Sequence, residues 1–243
     1  MVTRRKFIQN AFASLAFAVL SPPPLASASS RIFQTNNNVD LNPEIVSRVQ
    51  GEKNLVELAR TGDFEDAWVC VETPGVKDAY WYNVGKNISR DSVQVGKDTL
   101  REINKKHKSP FSLTRYHIHP KKKSDKKVLD LKNVLPHPSK EQYVIVGLPA
   151  EGDYLAEFMA HEYERKSGII WGKNKVVSYL GIAKNDISEE LRNILRNIDP
   201  EERKPYLRKL WVEACSTGLK ADSLSIAIDE FNKRGLKLEY YFM

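Results

Sequence analysis

Apolar residues recur along the chain with two distinct periods. Ala67-Trp68-Val69-Cys70-Val71-Glu72 is a β-rich run stopped by Thr73-Pro74-Gly75, and Ala79 to Val84 follows it, so the two predict a hairpin. Leu113 to Ile118 and Gln142 to Leu148 read as further strands, the second closed by Pro149. Gly168 to Gly172 and Val176 to Leu180 predict a second hairpin, turning at Lys173-Asn174-Lys175. Spacings of three and four mark helical turns within Pro43 to Thr61 and helices over Asp98 to Lys108 and Tyr154 to Arg165. Three more helices span Ser188 to Asn197, Glu201 to Cys215 and Asp222 to Arg234, with Gly235 as a stop before a last strand, Leu236 to Phe242. Mixed strands and helices with several hairpins predict an α+β fold carrying a helical C-terminal extension.

The first 28 residues read differently. Thr3-Arg4-Arg5-Lys6-Phe7-Ile8 precedes a short apolar run from Ala11 to Leu20, three prolines break any helix, and Ala26-Ser27-Ala28 has the small-x-small form of a signal cleavage site after Ala28. The arginine pair resembles a twin-arginine export signal. The apolar run is too short for a stable transmembrane anchor. The expectation is therefore an exported protein, periplasmic or secreted, beginning with a loose polar terminus over residues 29–42.

Charge changes meaning once the leader is set apart. The chain has 243 residues, 38 Lys plus Arg against 31 Asp plus Glu, and a net charge of +7. An apolar content of 41% excludes a disordered chain, and two cysteines exclude a disulfide scaffold. Without residues 1–28 the balance is 35 basic against 31 acidic, and Arg101 to Lys132 alone holds 11 basic and 3 acidic residues. The excess is one patch centred on Lys121 to Lys127, expected as a loop that could hold an acidic partner. No aromatic residues are interleaved there for base stacking, which argues against nucleic acid. Cys70 and Cys215 could pair in an oxidising periplasm, but they share no spacing signature, and the apolar run around Cys70 and the helical pattern around Cys215 favour free, buried thiols.

The residues that carry chemistry begin with His117-Ile118-His119-Pro120. Histidines at i and i+2 on a strand point to one side, which suits two ligands on one metal. Pro149-Ala150-Glu151-Gly152-Asp153 opens a helix, and Asp153 there serves either as a helix cap or as a third ligand. Glu72, at a strand end 45 residues before His117, is placed to move a proton, while Glu65 and Asp66 lie in a polar stretch and read as solvated. His161-Glu162 lacks the second histidine of a zincin helix, a cupin site lacks its Glu, His137 reads as loop, and His107 as a basic helix end.

Glu72, His117-Ile118-His119-Pro120 and Pro149-Ala150-Glu151-Gly152-Asp153 before a helix together resemble the JAMM (JAB/MPN) family of zinc metallopeptidases. That family's motif is an upstream Glu, His-x-His-Pro and Ser-x-x-Asp, on a mixed curved sheet flanked by helices. The resemblance implies Zn2+ on His117, His119 and Asp153, Glu72 as general acid/base, and hydrolysis of peptide or isopeptide bonds in a peptide or protein substrate. It implies a JAMM-like domain over 43–183 with a basic insertion at 121–141, and the extension over 184–243. Ala150 stands where the family has a serine whose hydroxyl helps hold the oxyanion, and the spacer after Pro120 is long; Pro138-Ser139-Lys140-Glu141-Gln142 has Gln142 in place of the Asp. The other reading is an inactive JAMM-like module that binds a partner through the basic loop or the helical tail.

Overall fold

The computed structural model describes residues 41–63, 65–89, 92–95, 97–107, 110–132 and 135–243. The expected leader, its cleavage point at Ala28 and the terminus up to residue 40 lie outside the described residues. Seven strands form one mixed sheet in the order β1 (Glu44–Ser47), β3 (Asp78–Asn83), β2 (Asp66–Glu72), β6 (Ser112–Ile118), β7 (Lys173–Ser178), β8 (Gly181–Ile187) and β9 (Leu236–Phe242). All neighbours are antiparallel except β6 and β7. A separate hairpin pairs β4 (Gly85–Ser89) with β5 (Ser92–Val95). Among the described residues eight helices surround these strands, so the fold is α+β.

Alternation along the strands sends side chains to two different cores. Helix α1 (Arg48–Thr61) starts at Ser47, whose hydroxyl accepts from the Gln50 N–H, and packs Leu55, Val56 and Ala59 against Cys70, Trp81, Tyr116, Ile118 and Val177. On the other face, Ala67, Val69, Val71 and Leu113 meet Leu100 and Ile103 of α2 (Lys97–Lys106). Further along that face, Val176 and Ala183 meet α5 (Glu151–Ser167). No described helix is long and apolar enough to cross a membrane.

Among the described residues, the connection from β6 to its parallel neighbour β7 holds three helices. The first is α3 (Lys121–Lys132), so the basic stretch expected as a loop is helical at its start. The second, α4 (Lys140–Val146), replaces the strand expected over Gln142 to Leu148. Its apolar residues have β-like composition, but Ser139 and Gln142 form a capping box that starts a helix, and Val144, Ile145 and Val146 are buried against later helices. Helix α5 is the third.

The second hairpin turns at Tyr179-Leu180 rather than at Lys173-Asn174-Lys175. Those three polar residues lie within β7 because the interior satisfies two of them: Asn174 Nδ2 donates to Asn185 Oδ1 at 2.7 Å, and Lys175 Nζ donates to Glu52 at 2.7 Å. Gly168 to Gly172 links α5 to β7. Gly172 has φ +68° and its Cα lies so close to Leu113 O that a Cβ would sit 1.9 Å away, so only glycine fits.

The C-terminal segment is built into the same sheet. Helices α6 (Glu189–Asn197), α7 (Arg203–Ala221) and α8 (Leu224–Lys233) join α4 and α5 in one apolar cluster, and β9 closes the sheet edge against β8. Both thiols are free and buried, Cys70 under α1 and Cys215 in the C-terminal cluster.

Candidate metal centre

Strand β6 sets the site. Leu113 and Arg115 share a face with His117, opposite Val71, Val69 and Ala67 of β2, and His117 lies beside Val176 of β7. One residue past the strand, the His119 N–H donates to Val177 O at 2.7 Å, which keeps His119 on the same side. The two imidazoles meet edge to face with centroids 4.8 Å apart. The geometry expected of His-x-His is therefore present.

Asp153 reaches both rings. It occupies the third position of α5, where Oδ2 accepts the Ala150 N–H at 2.8 Å. Its Oδ1 lies 2.8 Å from His117 Nδ1, and Oδ2 lies 3.7 Å from His119 Nε2. Asp153 is thus a helix-terminal residue and a neighbour of both histidines at once. Ala150, with no hydroxyl, leaves the reciprocal cap half made.

The upstream acid of the cluster is Glu65, and Glu72 is elsewhere. Pairing of β2 with β6 sets Ala67 opposite His117 and Glu72 opposite Ser112, five residues along the strand, or about 16 Å at ordinary strand rise. Glu72 instead accepts from Arg48 Nη1 at 2.8 Å, at the edge of a buried group in which Glu52 accepts from Lys175 and Tyr116. Glu65 precedes β2, is 2% exposed, and its Oε2 sits 3.1 Å from His117 Nε2. Its Oε1 accepts from Lys123 in the first turn of α3. Glu65 read as solvated because only the β2–β6 register, which the local sequence does not encode, brings it beside the histidines.

Ligand-competent atoms of Glu65, His117 and His119 all lie within 4.8 Å of one another, so the three could hold a metal ion. Protonation suits that role. Burial pushes His119 down to about 3, keeping its imidazole neutral. Burial would raise Asp153, but the hydrogen bond and charge of His117, with His119 and the Ala150 N–H, hold it well below the usual carboxylate range. His117 places Nδ1 against Asp153 and Nε2 against Glu65, one carboxylate on each ring nitrogen.

Neighbouring elements hold these groups in place. The turn before Asp153 is braced by Trp211 of α7, whose Nε1 donates to Pro149 O at 2.8 Å. One turn into α5, Glu157 accepts from Arg115, which also donates to Trp171 O at 2.8 Å and Gly172 O at 3.2 Å. That buried pair bolts α5 to the strand that carries the histidines. The cluster opens into a cleft of about 690 Å3 that continues past Met159, Tyr163 and Trp171. Burial, reinforced by Lys127, pushes Lys123 down to about 8 against the pull of Asp153 and Glu151.

The remaining histidines lie apart from the cluster. His107 sits among Tyr80, Tyr82 and Phe111, with Tyr82 Oη 2.9 Å from its Nε2. His137 is exposed, and His161 is half-buried with Nδ1 3.7 Å from Glu162. Compared with known proteins, the chain matches no family model, no curated protein and no solved structure.

Proposed function

We propose that the chain is an exported, zinc-dependent hydrolase of peptide or isopeptide bonds, acting in the manner of the JAMM family, with His117, His119 and Asp153 holding the metal. The observation that carries this reading is the convergence of two imidazoles on one carboxylate, with an oxygen of Asp153 facing each ring and a second carboxylate beside them at a cleft. When bound, zinc would supply a Lewis acid that acidifies water and polarises a carbonyl.

Glu65, rather than Glu72, takes the proton-relay role. One of its oxygens faces His117 and the other is engaged by Lys123, so it borders the cluster without turning both oxygens inward. A carboxylate so placed accepts a proton from the attacking water and returns it to the departing amine. His119 stays a neutral donor, and Asp153 orients His117 through Nδ1.

Elemental analysis of the purified chain tests the site. About one zinc per chain is expected, lost in His117→Ala and Asp153→Asn and retained in Glu65→Gln and Glu72→Gln. Against a fluorescence-quenched peptide library, Glu65→Gln should lose turnover on the order of 10²-fold or more while Glu72→Gln keeps it. Zinc lost from Glu65→Gln but kept by Asp153→Asn would reverse the two carboxylates' roles. A chain that binds zinc yet cleaves nothing would point to the binding-module reading that Ala150 allows. Export is supported by the residues of the leader; replacing Arg4 and Arg5 by Lys should leave the protein in the cytoplasmic fraction.

A further inference from the structure

Hydrolysis of an amide drives negative charge onto the carbonyl oxygen, and a site for it needs a hydrogen-bond donor there. Ala150 has no side-chain donor, and its backbone N–H is already taken by Asp153. Lys123 is a cationic side chain in direct contact with the cluster, through Glu65. It lies in the first turn of α3, four residues after His119, with its side chain 24% exposed and lining the same cleft as His117, His119 and Asp153.

Its position is fixed rather than loosely solvated. The Lys123 N–H donates to Pro120 O at 3.0 Å, and two adjacent ion pairs, Lys122 to Asp63 and Lys123 to Glu65, tie this turn to the segment before β2. An ammonium has three N–H donors, and Glu65 takes one. Glu65, Asp153 and Glu151 line this cleft together with Lys123 and Lys127, so carboxylates and ammonium groups face one another across it.

We propose that Lys123 is a catalytic residue that donates a hydrogen bond to the substrate's carbonyl oxygen as it gains charge, in place of a hydroxyl at position 150. This rests on the hydrolase reading above. As the O–C bond forms, the water proton goes to Glu65 and the C=O π pair moves onto the oxygen, which Lys123 stabilises. When that pair returns, the C–N bond breaks and Glu65 delivers the proton to nitrogen, leaving a carboxylic acid and an amine. Lys123 is never consumed and transfers no proton.

Inorganic phosphate, a tetrahedral oxyanion, probes the site without turnover. Titrated calorimetrically into the zinc-loaded full chain, phosphate should bind, and Lys123→Met should weaken it by about tenfold or more while zinc affinity holds. Lys123→Arg should retain most of the affinity, and Lys123→Gln, which keeps a donor without the charge, should fall between and covers the case of a misfolded Met variant. In the peptide assay, Lys123→Met should lower kcat by about 10²-fold with KM little changed, and Ala150→Ser added to it should restore part of the loss. Phosphate that does not bind the zinc-loaded chain, or binds all four proteins equally, overturns the role of Lys123. So does faster turnover in Lys123→Met, which would mark the lysine as a block on Glu65. Failure of the wild type to bind zinc would sink the hydrolase reading instead, so the two failures are distinguishable.

Discussion

Glu162 of α5 shows how single residues of this chain respond to pH. Burial opposes its ionisation, but hydrogen bonds from Arg165 at 2.8 Å and Arg196 at 2.9 Å, with their charges, lower it to about 2. Because the folded value lies below the ordinary value of 4.5, the stabilisation is complete above pH 4.5 and disappears as pH falls through 2. Glu162→Gln should therefore cost about 1 kcal/mol in urea melts at pH 7, allowing for solvent screening, and nothing measurable near pH 2. The cysteines give a simpler expectation. Burial pushes the Cys70 thiol up to about 12 and Cys215 further still, so neither should react with a thiol reagent until denaturant is added. Their burial was readable from the sequence, Cys70 from an apolar run and Cys215 from a helical pattern, because both follow local hydrophobic periodicity. Glu65 was not, because its significance depends on a partner strand more than 45 residues away.

At the level of elements, α5 depends on one buried ion pair. Removing one partner of Arg115–Glu157 leaves a charge buried without compensation, a loss of about 3–5 kcal/mol. Glu157→Ala should show that loss in thermal melts and weaken zinc binding through displacement of Asp153. The double variant Arg115→Met, Glu157→Leu should recover most of the stability, and a double variant as unstable as the single one would contradict this account. The His-bearing strand, the long helix at Asp153 and the final helix-to-strand passage at Gly235 all follow from periodicity and stop signals in the chain. Strand β9 matches its expected span from Leu236 to Phe242. The misread elements share a cause. Tyr143 to Val146 have strand-like side chains but a helical cap, while Lys173-Asn174-Lys175 have turn-like side chains but buried partners. In both, contacts distant in sequence overrode local composition.

Across the whole molecule, the C-terminal residues complete the sheet and one wall of the core. Leu236 and Leu238 are buried, and β8 loses its outer partner if β9 is removed. Truncation after Arg234 should expose that edge and yield a chain that elutes as aggregate in gel filtration rather than as a discrete species. Such dependence was outside the reach of the sequence, where residues 184–243 showed amphipathic helices but nothing to say what they pack against. A milder change isolates the link to the site. Trp211→Phe keeps the bulk but removes the bond to Pro149 O, and should cost about 1 kcal/mol of stability while loosening zinc binding severalfold.

The bond from Trp211 to Pro149 also bears on when the site can come into being. Synthesis delivers His117 and His119 first, Asp153 about 35 residues later, and the tryptophan that steadies the Asp153 turn almost 60 residues after that. A growing chain therefore presents two histidines long before it presents a pocket. The cluster gains its brace only once α7 has docked, so a metal held there would report that folding has reached that helix.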